Sequence, residues 1–205
     1  MRPAKPSKPR RPTLKDKKRA ETRGKLIAAA KRLFSEYGYN DVSVTEIAQE
    51  AGVTHSMINV YFGGKPGLLF EIVKQNNAPQ YQESIEVIRR SAPAMDRLSD
   101  MLLLWARYDA ADPTLLGVMQ SYSWIWPATT EAENSKDRDQ FFTLIASLLR
   151  EAQSANDIAA HRNVDVLARS IFAIYTWEMR AAVFEGVSPE VCHERLMADI
   201  LALTS

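Results

Sequence analysis

The stretch Ser43–Lys65, SVTEIAQEAGVTHSMINVYFGGK, decides how the rest of the chain is read. Ser43 and Glu46 stand three residues apart at its head, the spacing at which each side chain satisfies an orphan backbone donor of a helix start. Val44, Ile47, Ala48 and Ala51 then recur at helical intervals and give that helix one apolar side. Gly52 follows where a left-handed residue ends a helix, and Thr54 is placed to cap the next. Met57, Ile58, Tyr61 and Phe62 carry the apolar pattern through a second short helix. Two such helices around a tight turn form a helix-turn-helix, whose second helix fits a DNA major groove.

Working outward, a first helix starts between Thr13 and Ala20 and runs to Tyr37, with Leu26, Ala30, Leu33, Phe34 and Tyr37 as its apolar stripe and Gly38 as its stop. A fourth begins at Lys65–Pro66, where proline's missing N–H does no harm, and ends near Asn76–Pro79. Beyond it the spacing predicts helices over Tyr81–Arg90, Ala94–Ala111, Pro113–Trp126, Glu133–Ser154, Asn163–Glu185 and Pro189–Leu203. Asp112, Asn163 and Ser188 are the expected caps. No strand alternation interrupts the pattern.

The segment from helix 1 to helix 4 resembles the DNA-binding domain of the tetracycline-repressor (TetR) family. The residues that carry the likeness are KRLFSEYGYNDVSV, EIAQEAGV and INVYFGGKPGLL, between about Lys25 and Leu69. The resemblance implies an all-α fold of about nine or ten helices. A three-helix helix-turn-helix domain would come first, and a helical ligand-binding and dimerisation domain second. The expected division is a basic Pro-rich arm at 1–12, the DNA-binding domain at 13–64, a connecting helix at 65–79 and the effector and dimer domain at 80–205.

Charge is distributed to suit a polyanion partner at one end. Residues 1–25 contain 11 Lys/Arg and 2 acidic residues, whereas the remaining 180 carry 15 and 23, within a net +1. The beginning repeats a basic-Pro-x triplet that favours polyproline II and lines Arg2, Lys5, Lys8 and Arg11 along one edge. Two readings stand: an arm that follows phosphates or a minor groove, and a solubilising tail.

On the recognition helix, Thr54, His55, Ser56 and Asn59 turn at least partly away from the Met57/Ile58/Phe62 packing side and are the expected base contacts. Arg23, Ser43, Thr45, Tyr61 and Lys65 are the expected phosphate contacts. The resemblance supports this division except at Asn59: many family members carry Tyr there, where it meets phosphate, and Asn instead suits an adenine edge.

Asn163–Glu185 has almost no polar face, so it needs cover on every side. Ile174, Ala181, Val183, Phe184, Leu196, Met197 and Ile200 are the residues expected at a two-fold interface with a second copy. The alternative is a helix buried within one chain. Trp105, Tyr108, Met119, Tyr122, Trp126, Phe142, Phe172 and Tyr175 are the candidate walls of a pocket between helices, or else plain core.

Other chemistries find little support. A single cysteine, Cys192, rules out an intramolecular disulfide and a cysteine metal cluster. His55, His161 and His193 lack metal-binding spacing, and no nucleophile elbow, P-loop or dinucleotide fingerprint occurs. Glu190 and His193 form one Glu-x-x-His, which di-metal bundles need in duplicate. The expectation is therefore no catalytic residue, no metal and no cofactor. No membrane-length apolar run or signal-peptide core is present, so a cytoplasmic protein is expected. The partners expected are a double-stranded DNA operator, a small-molecule effector and a second copy of the chain. A repressor released by a small, largely apolar ligand is the leading reading. An activator, a ligand-independent regulator or an all-helical small-molecule protein or enzyme without a DNA role are its rivals.

Overall fold

The computed structural model describes residues 13–122 and 124–204, and all regular elements among them are helical. They are α1 (Leu14–Tyr37), α2 (Val44–Glu50), α3 (Ser56–Phe62), α4 (Lys65–Ile88), α5 (Ala94–Ala110), α6 (Pro113–Tyr122), α7 (Ala128–Ser154), α8 (Val164–Glu178), α9 (Arg180–Glu185) and α10 (Pro189–Thr204). The basic arm with Arg2, Lys5, Lys8 and Arg11 lies outside the described residues.

The helix starts follow local chemistry. Thr13 with Asp16, and Ser43 with Glu46, form reciprocal capping boxes. Asn163 Oδ1 accepts from the backbone of Asp165 and Val166, and Asp112 Oδ1 from Leu115 N at 2.9 Å. Thr54 departs from expectation. Its hydroxyl lies 3.1 Å from that of Ser56, α3 starts without a side-chain cap, and backbone bonds from Met57 and Ile58 to Thr54 and His55 close the first turn instead.

Two cores form. In the head, Leu26, Ala30, Phe34, Ile47, Ile58, Leu68, Leu69 and Ile72 bring α1 to α4 together, and Leu115 of α6 enters the same cluster. In the body, Leu98, Met101, Leu102, Trp105, Ile145, Leu148, Leu149, Ile171, Leu196 and Ile200 pack α5, α7, α8 and α10 around one interior. The two are joined by α4, a 24-residue helix about 36 Å long at a rise of about 1.5 Å per residue.

That helix corrects the sequence reading, which ends it near Asn76–Pro79. It continues through Pro79, because Leu68, Leu69 and Ile72 bury its first half in the head and Gln80, Ser84 and Val87 bury its second in the body. Pro79 and Gln75 are both exposed, so the carbonyl that loses its helical donor faces water. The long apolar segment Asn163–Glu185 differs in the other direction: it breaks at Met179 into α8 and α9, which lets α9 turn onto α6. One face of the pair is buried through Leu167, Ala168, Ile171, Tyr175, Met179 and Ala182. The other leaves Trp177 68% and Phe184 70% exposed, with Arg180 stacked on both rings. No helix among the described residues is long and apolar enough to cross a membrane.

Candidate nucleic-acid interface and effector cavity

Gly52, at φ 67°, turns the chain from α2 into α3 through a left-handed conformation that a side chain would strain. Ile58 then sits fully inside the head core, which fixes the rotation of α3. Thr54, His55, Ser56 and Asn59 are consequently exposed together on its outer side. Val60 joins them at 65% exposure. The sequence reading passed it over because it is apolar, yet an exposed valine on a groove-facing helix can meet a thymine methyl.

A second glycine holds the reading helix in place. A Cβ on Gly67 would lie 1.8 Å from the carbonyl oxygen of Phe62, so the first turn of α4 reaches the end of α3 only because residue 67 has no side chain.

The phosphate candidates divide. Thr45 is exposed, and Ser43 is exposed with its hydroxyl accepting from Glu46 N at 3.2 Å. Tyr61 is half-buried beneath Arg19, whose guanidinium lies 5.6 Å from the ring centre. Arg23 is paired with Glu71 at 2.5 Å and stacks on Phe62 at 5.2 Å. Lys65 Nζ lies 4.2 Å from the centre of the Tyr39 ring, and partial burial lowers its pKa against the pull of Asp41 and Glu46. Arg23 and Lys65 are thus held by the head itself, in positions set by aromatic rings.

In the body, α4 to α8 and the α6–α7 connection line a half-open cavity of about 590 Å³. Of the candidate wall residues, Trp105, Met119, Trp126, Phe172 and Tyr175 line it. Three do not: Tyr108 donates to Glu83 at the surface, Tyr122 packs against Tyr39 and Trp126 on the head side, and Phe142 packs on the far side of Phe172. Of the interface candidates, Phe184 is exposed, and Ile174, Ala181, Val183 and Met197 are partly covered. Leu196 and Ile200 are corrected to core: at helical spacing with Cys192 they bury the inner face of α10, at 1% and 0% exposure.

The polar groups of the cavity escaped the sequence reading. Asp109 accepts from the Tyr175 hydroxyl at 2.5 Å and from the Gln80 side chain. Burial pushes its carboxyl up to about 6, against the opposing effect of those two bonds. Burial, followed by the neighbouring Asp109 charge, raises the Tyr175 hydroxyl well above its ordinary range. Trp105 donates through Nε1 to Ser84 Oγ at 2.7 Å, which locks its ring against Phe141 and Tyr175. The available signal was a carboxylate one turn beyond Trp105, on the apolar face of its helix. Arg107, by contrast, is a surface partner of Glu190.

An exposed polar reading helix in a small helical head, joined by one long helix to a body with a cavity, is the arrangement of a DNA-binding regulator. Comparison with known proteins agrees. The family described as "Bacterial regulatory proteins, tetR family" matches residues 26–72. The regulator HbdR of Aromatoleum sp. (strain CIB) is 42% identical over 65 residues, 32% of this chain and 28% of that protein. The repressor BepR of Brucella suis biovar 1 (strain 1330) is 24% identical over 161 residues, 76% of this chain and 77% of that one. FadR from Bacillus subtilis, solved in complex with stearoyl-CoA, superposes with a TM-score of 0.76 at 19% identity, covering 87% of this chain and 97% of that one. Residues 26–72 of this chain are thus a DNA-binding domain of the tetR type, and the chain as a whole shares the fold of solved tetR-family regulators. Its head is that of a DNA-binding transcriptional regulator.

Proposed function

We propose that this regulator is a homodimeric repressor that leaves a pseudo-palindromic operator when a small, largely apolar effector enters the body cavity. On this reading Thr54, His55, Ser56 and Asn59 contact bases, and Val60 contacts a thymine methyl. Arg23, Ser43, Thr45, Tyr61 and Lys65 hold the backbone. The chain divides functionally into an arm (1–12), a head (13–64), a connector (65–79) and a sensing and pairing body (80–205), with α4 continuous from connector to body.

The observation that carries this reading is shared packing. Met119 and Trp126 line the cavity and also pack against the head core. A ligand that displaces either therefore acts directly on the support of the reading helix. Release requires the ligand to prefer the arrangement that does not bind DNA. The exposed apolar residues Trp177 and Phe184 support pairing through α8 and α9.

Selection of bound sequences from a random duplex pool tests the DNA half. A palindrome with half-sites about one helical turn apart, or a multiple of that, is expected; enrichment of a single asymmetric site would count against a two-headed reader. The selected duplex then serves to titrate release against metabolite extracts. Release by no extract would favour a regulator that uses its body only for pairing.

A further inference from the structure

The polar part of the cavity wall limits what the occupant can be, given the reading of this cavity as the effector site. Four charged residues line it: the carboxylates Asp109, Glu131 and Asp137, and the guanidinium of Arg138. Arg138 is engaged by Glu131 at 2.7 Å, and Asn134 donates to the other oxygen of that carboxylate. The two remaining carboxylates have no cationic partner among the described residues. Asp109 is met by neutral donors, the Tyr175 hydroxyl and the Gln80 amide. Asp137 is half-buried, with no ion-pair or hydrogen-bond partner among the described residues.

Aromatic rings supply much of the remaining wall. Trp105 lies edge-on to Phe141 at 5.1 Å and to Tyr175 at 5.8 Å, and Phe172 continues the cluster. Trp124 and Trp126 come from the α6–α7 connection. Ring faces attract cations, and carboxylates bounded by apolar walls act with little screening. An anionic occupant would meet two uncompensated negative charges and no unengaged positive one in this wall.

We propose that the cavity takes an amphipathic organic cation, an amine or quaternary ammonium on an apolar body, and disfavours acids and phosphates. The cationic centre lies between Asp109 or Asp137 and the aromatic faces, and the apolar body fills the space toward Val73, Leu116 and Met119.

The test uses the full chain and ligands that share one octyl chain: octyltrimethylammonium, 1-octanol, octanoate and octanoyl-CoA. Binding is followed by the fluorescence of the wall tryptophans. The ammonium is expected to bind about tenfold tighter than the alcohol, and both anions more weakly than the alcohol. Asp109→Asn and Asp137→Asn should each weaken ammonium binding several-fold and leave the alcohol within about twofold, since only charge changes. Should Asp109→Asn fail to fold, the half-buried Asp137→Asn carries the comparison. Equal binding of ammonium and alcohol, or tighter binding of octanoate or octanoyl-CoA, overturns the cation assignment while the cavity stands as a binding site. Saturable binding by none of them removes the site and the proposal together.

Discussion

The ring of Tyr122, at the end of α6, meets the ring of Tyr39 edge-on with their centres 4.4 Å apart. Tyr122 also packs on Trp126 of the cavity wall at 5.5 Å, and Tyr39 carries the Lys65 ammonium on its other side at 4.2 Å. A continuous stack of side chains thus runs from the body cavity to the first residue of α4. Burial, with a hydrogen bond to Tyr122, raises the pKa of the Tyr39 hydroxyl, so it stays protonated throughout the physiological range.

Tyr122→Leu keeps apolar bulk and removes the ring contacts. Roughly 1–3 kcal/mol of stability should be lost, from two aromatic pairs. Effector affinity should change little, while the ratio of operator affinities with and without effector falls toward one. Parallel titrations of effector and of operator duplex measure the two quantities; an unchanged ratio would exclude this route of coupling.

Gly67→Ala should unsettle the head without touching a DNA-facing residue. The added carbon has 1.8 Å to the Phe62 oxygen, a backbone atom that cannot swing aside. A loss of about 3 kcal/mol, at the upper end of overpacking costs, is expected, and operator binding should drop with it. Denaturant unfolding and DNA titration of the variant provide the check.

Asn59→Ala and Lys65→Ala should separate base reading from backbone holding. The first should cost about 1–3 kcal/mol on the selected operator and little on random duplex. The second should weaken both alike and reduce the dependence of log affinity on log salt by about one. The reverse pattern would exchange their roles.

Asp109 gives a pH signature of known sign. Its folded pKa of about 6 exceeds the ordinary 3.8, so the folded chain holds the proton more tightly than the unfolded one. The group's favourable contribution is complete below about pH 4 and is lost as pH rises through about 6. Asp109→Asn should therefore stabilise the effector-free protein at pH 7.5, by on the order of 1–3 kcal/mol. The gain should shrink as pH falls toward 4, a trend that urea unfolding across the range can measure.

Trp177→Glu with Phe184→Glu should produce monomers that keep their helical content. Both side chains are mostly exposed in the single chain, so the fold does not need them. Sedimentation against concentration, with circular dichroism as the folding control, distinguishes this from a loss of structure.

The head was legible in the sequence because its signals are local. A capping pair, a left-handed glycine and an apolar residue every three or four positions specify each helix within a few residues, and Ile58 against Asn59 already separates inside from outside. The same rules failed where two packed surfaces outvoted local preference. Pro79 lies within a helix anchored at both ends, and Thr54 lost its capping role to backbone bonds. The cavity was legible only in part: aromatic positions on helices are numerous, and periodicity cannot say which of them line a space and which fill a core.

By itself, then, the sequence determined the helical class, the reading helix and its outward polar residues, since each follows from contacts a few residues apart. Tertiary structure alone decided that Asp109 and Tyr175, 66 positions apart, share a hydrogen bond in the cavity. It likewise decided that Leu196 and Ile200 turn inward and that Tyr122 reaches Tyr39. Those pairings depend on how whole helices pack against one another, and no local pattern encodes that distance.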